Sequence, residues 1–153
     1  MKFICTKENL SHALDIVSSI ANKHVNLPIL ANILIQAEES VVRLTATNLE
    51  VAIKANLRAK VEKAGSFTAP AKTLTDFVHL LGDEQVDIEL QDSELSIKCA
   101  ASSTKIKGAP SDEYPIVPGI EEKHAYALSV DEFKSALSQT VFAAAKNEIR
   151  PEL

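Results

Sequence analysis

The stretch VAIKANLRAKV, residues 51–61, decides the fold class because its polarity alternates along the chain. One set of alternate positions is entirely apolar: Val51, Ile53, Ala55, Leu57, Ala59 and Val61. The other set carries Lys54, Asn56, Arg58 and Lys60. Such alternation is typical of a strand with one buried and one solvated face, as in antiparallel sheets. We therefore expect a long antiparallel strand here.

A strand, a helix and two further strands precede this stretch. Phe3 and Cys5 alternate with polar residues, and apolar residues then recur with a 3.6-residue period over residues 7–21, which predicts a helix. Thr6 is its expected N-cap, and Pro28 requires the helix to have ended. Alternation over residues 29–37 and 42–46 predicts the next two strands.

The same order of elements follows in residues 65–107. GSFTAP, residues 65–70, indicates a strand, and Pro70 suits the start of a helix that Gly82 would cap. Three strands are predicted around residues 86–90, 95–99 and 104–107. The sequence thus predicts an α+β fold in which a duplicated β-α-β-β-β unit packs two helices on antiparallel sheets.

The first helix pattern returns 123 residues later, in SVDEFKSAL, residues 129–137. Ser129 and Glu132 have the spacing of a capping box. Six of the 29 pairs between residues 2–30 and 125–153 are identical. This indicates a tandem repeat of period 123, with a smaller period of about 64 inside it. Because YPIVPGIEEKH, residues 114–124, has the composition of a boundary, we expect a domain over 1–120 and the truncated start of a second over 121–153.

The second copy stops before its sheet. One strand and one helix cannot bury Phe133 and Leu137, and each apolar side chain left in water forgoes roughly 1.5–3 kcal/mol. We therefore expect the chain to be part of a longer protein, with its C-terminal region poorly ordered or docked on another molecule.

Composition excludes several classes of protein. No apolar run approaches a membrane span and no signal peptide opens the chain, so we expect a cytoplasmic protein. Cys5 and Cys99 each fall on the inward side of a strand and favour buried free thiols, although a disulfide between them is not excluded by sequence. The chain has no CxxC, glycine-rich phosphate loop, GxSxG or HExxH, so we expect no metal, no cofactor and no catalytic site.

Three motifs then point to a family. LPIL (residues 27–30), LTATNLE (44–50) and EYPIVP (113–118), in this order and spacing, resemble the bacterial sliding clamp, the β subunit of DNA polymerase III. The resemblance implies a DNA-clamp fold and a non-catalytic accessory subunit of a DNA-directed DNA polymerase. It further implies three-domain protomers that form a homodimeric ring around duplex DNA, with helices lining the hole and sheets outside. Polymerase III subunits and the clamp loader would be the protein partners.

The charge distribution agrees with such a ring. The predicted helical segments 7–24, 71–82 and 129–150 carry six positive and six negative side chains, so the whole net charge of −5 lies outside them. A neutral bore inside an acidic shell would permit weak, sequence-independent attraction to phosphates and therefore sliding. An excess of acid alone argues against a protein that coats DNA.

The resemblance also implies particular contact residues. KNEIR, residues 146–150, resembles a DNA-touching loop of the family, and Lys72 matches a basic DNA-contacting position. His24 lies where the family often has arginine, so Lys23 could replace that contact. The expected DNA-binding residues are Lys23, His24, Lys72, Lys146, Asn147 and Arg150.

The last strand of the first domain resembles the edge that pairs with the third domain of a partner protomer. The expected dimer-interface residues are Thr104, Lys105, Ile106 and Lys107. Without the family, an apolar residue between lysines indicates an edge guarded against aggregation. The alternative function is therefore a generic α+β protein-assembly module that does not bind DNA.

Overall fold

The computed structural model describes residues 1–21, 27–119 and 126–144 of the 153-residue chain. The chain divides into two compact units, Met1–Val117 and Pro118–Leu153. Each unit is described by itself below.

The first unit contains nine strands and two α-helices in its described residues. In chain order they are β1 (Lys2–Thr6), α1 (Lys7–Ser18), β2 (Asn32–Ala37), β3 (Val41–Thr47), β4 (Ala52–Arg58), β5 (Lys60–Lys63), β6 (Gly65–Pro70), α2 (Ala71–His79), β7 (Gln85–Gln91), β8 (Glu94–Cys99) and β9 (Ser102–Lys107). Short 3₁₀ turns cover Pro28–Ala31 and Ser111–Glu113. The predicted α+β class and the twofold repeat of strand, helix and strands are confirmed.

The strands form two antiparallel sheets that exchange their first strands. One sheet has the order β5-β1-β7-β8-β9 and the other β4-β3-β2-β6. β1 therefore pairs with strands of the second half, and β6 pairs with β2 of the first half. Each sheet therefore contains strands from both halves of the unit.

The core lies between the sheets and the two helices. The helices contact each other, and α1 also packs against β1, β3 and β4. Buried residues recur at every second position in the strands and about every 3.6 positions in the helices, so each element turns one side toward this core. The largest fully buried side chains are Phe3, Leu10, Leu14, Leu30, Ile33, Ile35, Leu44, Leu57, Leu74, Ile88, Leu95 and Ile97.

The single strand predicted over residues 51–61 is two strands. It breaks at Ala59, so that β4 pairs with β3 in one sheet and β5 pairs with β1 in the other. The alternation is kept through the break, with Leu57 buried and Val61 half-buried. An alternating sequence pattern predicts which face of a strand is buried, but it does not predict which sheet the strand joins.

The helix ends also differ from the sequence-based expectation. α1 ends at Ser18 rather than Ala21, and the chain continues as a turn in which the Ala21 N–H bonds to the Ser18 carbonyl at 3.3 Å. α2 ends at His79 with Leu80 as the C-cap, so Gly82 caps no helix. The predicted N-cap is confirmed, because Thr6 Oγ1 accepts a hydrogen bond from the Asn9 N–H at 3.3 Å.

Residues 108–117, called the strap here, run along the outer face of the four-stranded sheet. Thr68 and Ala109 exchange two backbone hydrogen bonds of 3.0 and 3.1 Å, and the Tyr114 hydroxyl donates to the Asn32 carbonyl at 3.3 Å. A Cβ on Gly108 would overlap the Thr68 carbonyl oxygen and the ring of Phe67. The strap can therefore approach β6 only because residue 108 is glycine.

The described residues of the second unit comprise α3 (Val130–Thr140) and a 3₁₀ turn (Val141–Ala143). α3 begins 123 residues after α1, as the repeat predicts. Ser129 occupies the N-cap position, but the predicted capping box is wrong, since within residues 126–144 its hydroxyl makes no capping hydrogen bond. No residue of α3 is buried, and Phe133 and Leu137 are 49% and 43% exposed.

The two thiols are free and buried. Cys5 is paired with Val86 across β1 and β7, and Cys99 lies in β8 on the far side of β7. Two strand spacings separate the cysteines by about 10 Å, beyond the roughly 7 Å limit for a disulfide. The disulfide that the sequence left open is therefore excluded by this geometry.

Candidate nucleic-acid interface

The exposed sides of α1 and α2 form the candidate interface, called the helix-pair surface here. Their buried residues, among them Leu14 and Val78, face the core, which leaves a polar side toward solvent. The helix-pair surface comprises Glu8, Asn9, His12, Asp15 and Ile16 of α1 and Lys72, Thr73, Asp76 and His79 of α2.

Lys72 lies in the first turn of α2, with its side chain 89% exposed. Its ammonium lies 3.5 Å from Asp76 Oδ2, one helical turn along. Pro70 occupies the N-cap and provides no side-chain cap, so the positive end of the helix dipole remains available to an anion. Lys72 is therefore a solvent-facing cation at the start of α2; its contact with DNA stays a prediction.

A contact between the two helices holds the middle of this surface. His79 Nε2 lies 2.9 Å from Asp15 Oδ1, and both side chains are about half exposed. Because the pair is solvated, it contributes little to stability but orients the two side chains. The described helix-pair surface carries one lysine against three carboxylates, those of Glu8, Asp15 and Asp76, so its net charge is acidic.

The other five predicted DNA-binding residues lie outside the described residues. These are Lys23, His24, Lys146, Asn147 and Arg150. Their contact with DNA, and their position relative to Lys72, remain predictions.

The predicted dimer edge is strand β9, which ends the five-stranded sheet. In the part of the chain described, its sheet pairing is with β8 alone. Lys105 and Lys107 are exposed, whereas Ile106 is only 5% exposed and belongs to the core. Ile106 is therefore a core residue, whereas the side chains of Lys105 and Lys107 are exposed and Thr104 is half-buried. That β9 forms a dimer interface stays a prediction.

The described residues contain no group of three histidine, cysteine or acidic side chains arranged to hold a metal ion. No helix among them is long and apolar enough to cross a membrane. Burial raises the pKa of the Cys5 thiol to about 12, so this buried sulfur is not an activated nucleophile.

A match between the sequence and a known protein family decides the family of this chain. The family model described as "DNA polymerase III beta subunit, N-terminal domain" matches residues 1–118. The chain belongs to the DNA polymerase III β-subunit family. The "Beta sliding clamp" of Synechococcus elongatus is 32% identical over 153 residues, which cover 98% of this chain and 41% of that relative.

Solved structures agree with this assignment. The DNA polymerase sliding clamp from Bacillus subtilis superposes with a TM-score of 0.91 at 29% identity, over 99% of this chain and 42% of that one. The Caulobacter crescentus pol III beta superposes with a TM-score of 0.90 at 29% identity, over 98% and 41%. The fold is therefore the DNA-clamp fold, and the chain spans about two-fifths of the length of these relatives.

Proposed function

We propose that this chain is part of a ring-shaped processivity factor that encircles duplex DNA and tethers the replicative DNA polymerase. The observation that carries the proposal is the family match over residues 1–118 together with superposition on sliding clamps at TM-scores near 0.9. The proposed role is non-catalytic, and it belongs to the cytoplasm, where the bacterial chromosome is replicated.

The arrangement of the first unit supports this role physically. A sliding surface must attract phosphates weakly and without reading bases, because a strong or specific contact would stop the movement. On the helix-pair surface, Lys72 at a helix N-terminus would supply such a weak attraction, with Asp76 moderating its charge. We propose that this surface faces the DNA and that the other predicted cations supply most of the remaining attraction.

The ring itself requires partners. We propose a head-to-tail homodimer of the complete protein, in which β9 extends its sheet with a strand of the neighbouring protomer. The exposed lysines Lys105 and Lys107 would disfavour random edge pairing and leave a specific, acidic partner strand favoured. DNA polymerase III subunits and the clamp loader are the proposed protein partners of the complete ring.

Titration of labelled duplex DNA with the 153-residue chain, followed by fluorescence anisotropy, tests the proposal. We expect weak binding without sequence preference that falls steeply between 20 and 200 mM salt, roughly in proportion to the phosphates neutralised. Lys72→Glu should weaken it severalfold at 20 mM salt. The matched control is Lys98→Glu, which changes an exposed lysine on the outer face of the five-stranded sheet and should matter less.

Two results would contradict the proposal. If no binding is detected at 20 mM salt, the alternative of a protein-assembly module without DNA binding is favoured. Equal losses in Lys72→Glu and Lys98→Glu would show that net charge, and not the helix-pair surface, governs the attraction.

A further inference from the structure

Strand β6 ends the four-stranded sheet, so the backbone groups of every second residue point away from its neighbour β2. Thr68 is one of these residues, because its N–H and carbonyl bond outward to Ala109. By alternation, the other outward positions of β6 are Ser66 and Pro70. Because proline has no N–H, the donors of this edge are the N–H groups of Ser66 and Thr68.

The strap covers this edge at its centre. Thr68 and Ala109 form an antiparallel bridge with both backbone hydrogen bonds, and the Thr68 hydroxyl donates to the Ala109 carbonyl at 2.9 Å. At the next outward position, the Ser66 and Ser111 hydroxyls lie 2.7 Å apart. Thr68 is therefore 0% exposed, although it belongs to an edge strand.

The first half of the unit has the same arrangement, with a strand in place of the strap. The chain leaves β4 at Ala59 and enters β5, which pairs at three positions with the side of β1 that β7 leaves free. It leaves β9 at Gly108, 49 residues later, and within the described residues Ala109 then pairs with β6 at Thr68 alone. The strap is therefore a reduced counterpart of β5, and the same crossing covers one strand edge in each half.

The other edge strands of the first unit are protected by charge. An exposed lysine or arginine opposes pairing with a strand of another molecule. The exposed cations of these edges are Lys54 and Arg58 of β4, Lys60 and Lys63 of β5, and Lys105 and Lys107 of β9. Strand β6, whose sequence is GSFTAP, carries no charged side chain, so it lacks this protection.

We propose that the strap is a built-in block that keeps β6 from pairing with β6 of a second copy of the chain. Release of the strap frees the outward groups of Ser66 and Thr68, which then form an open sheet edge. Antiparallel pairing centred on Thr68 gives two hydrogen bonds between the Thr68 backbones and one from each Ser66 N–H to the Pro70 carbonyl of the other copy. The contact is isologous, so it closes as a dimer.

Sedimentation velocity of the Gly108→Ala chain tests the proposal, with Gly82→Ala as the matched control. The new Cβ at residue 108 overlaps the Thr68 carbonyl oxygen and must displace the strap, whereas a Cβ at residue 82 meets nothing within 4 Å. We expect Gly108→Ala to self-associate about tenfold more strongly than the parent, because pairing adds several backbone hydrogen bonds. Equal self-association of the two variants would overturn the proposal.

Ala109→Pro is a second variant that releases the strap without adding an atom at residue 108. Proline has no N–H to donate to the Thr68 carbonyl, so the bridge cannot form. This variant should also self-associate more strongly than the parent. An Ala109→Pro chain that associates no more than the parent would contradict the assigned role of the strap.

Amide exchange and a charge variant identify the surface that associates. In Gly108→Ala, the Thr68 amide should exchange quickly in dilute solution and regain protection as the protein concentration rises. Adding Thr68→Lys to Gly108→Ala should return self-association to the level of the parent, because pairing would place two like charges directly opposite each other. Association that leaves the Thr68 amide unprotected, or that persists with Thr68→Lys, would overturn the proposal. Its failure would leave the proposed DNA contact of Lys72 unaffected.

Discussion

α1 and α3 are the same helix pattern in two surroundings. They begin 123 residues apart, and Leu10 and Leu14 of α1 correspond to Phe133 and Leu137 of α3. Leu10 and Leu14 are 1% and 0% exposed, whereas Phe133 and Leu137 remain 49% and 43% exposed. The apolar side of α1 is covered by two sheets and a second helix. The apolar side of α3 is covered by nothing in the described residues of its own unit.

The difference shows that a sequence pattern specifies a helix, whereas the burial of that helix depends on the rest of the fold. An amphipathic period specifies a helix and its apolar side, but its burial depends on strands distant in the chain. In the first unit those strands come from both halves, since β1 pairs with β7 and β6 with β2. Most of the stability of a short helix comes from such packing rather than from propensity.

The largest expected effect comes from truncating the two corresponding leucines. Leu14→Ala should reduce the free energy of unfolding by about 3–5 kcal/mol, because it opens a cavity in a fully buried site. Leu137→Ala should change it by less than about 0.5 kcal/mol, as expected for a residue outside a core. Urea unfolding followed by circular dichroism measures both. Similar losses in the two variants would mean that α3 is packed as closely as α1.

A second comparison sets Gly108 against Gly82. Gly108→Ala should cost about 2–3 kcal/mol, because the new Cβ overlaps the Thr68 carbonyl and the Phe67 ring and must displace the strap. Gly82→Ala meets nothing within 4 Å and should be nearly neutral. Thermal unfolding of both variants checks this, and a Gly108→Ala protein as stable as Gly82→Ala would refute the close approach of strap and β6.

The two helix N-caps provide a smaller contrast. Thr6→Ala removes the hydrogen bond to the Asn9 N–H and should cost about 1 kcal/mol. Ser129→Ala should cost close to nothing, because its hydroxyl makes no such bond within residues 126–144. The measurement is the urea midpoint for Thr6→Ala and, for Ser129→Ala, the helical circular dichroism signal. A loss of helix in Ser129→Ala would mean that the capping box predicted from the sequence does form in the parent protein.

The smallest expected effect is a dependence on alkaline pH. Burial raises the pKa of Cys5 from 9.0 to about 12, so the folded state keeps the thiol protonated after the unfolded state has ionised. This contribution to stability is fully present below pH 9 and is lost as the pH rises from about 9 toward 12. The loss should amount to roughly 0.8 kcal/mol by pH 9.5.

The Cys5→Ala variant isolates this effect. It is less stable at every pH because it leaves a cavity, but its free energy of unfolding should fall less steeply between pH 8 and 9.5 than that of the parent. Parallel pH curves for the two proteins would exclude the buried thiol as the cause.

Much of the fold was predictable because its signals are local. Two-residue and 3.6-residue periods located the strands and helices, and Thr6 was recognisable as a cap from residue type and position. The break at Ala59, the exchange of β1 and β6 between sheets and the end of α2 at His79 depend on contacts distant in sequence, which no period records.

The candidate site divides in the same way. Lys72 could be placed at an exposed helix start from the motif around it, and Lys105 and Lys107 on an edge strand from alternation. The burial of Ile106 was missed, because an apolar residue between lysines looks the same on a core face and on an interface. The covering of the β6 edge by the strap was missed as well, because no local pattern records the contact between these two segments.

Amide hydrogen exchange of the 153-residue chain, read separately for α1 and α3 in one sample, tests the central comparison most directly. Interior amides of α1, such as that of Leu14, should exchange only at a rate set by unfolding of the first unit. Those of α3, such as that of Leu137, should exchange within a few orders of magnitude of an unfolded peptide. Equal protection of the two helices would contradict the account, because it would mean that the apolar side of α3 is packed against a partner and is not exposed to solvent.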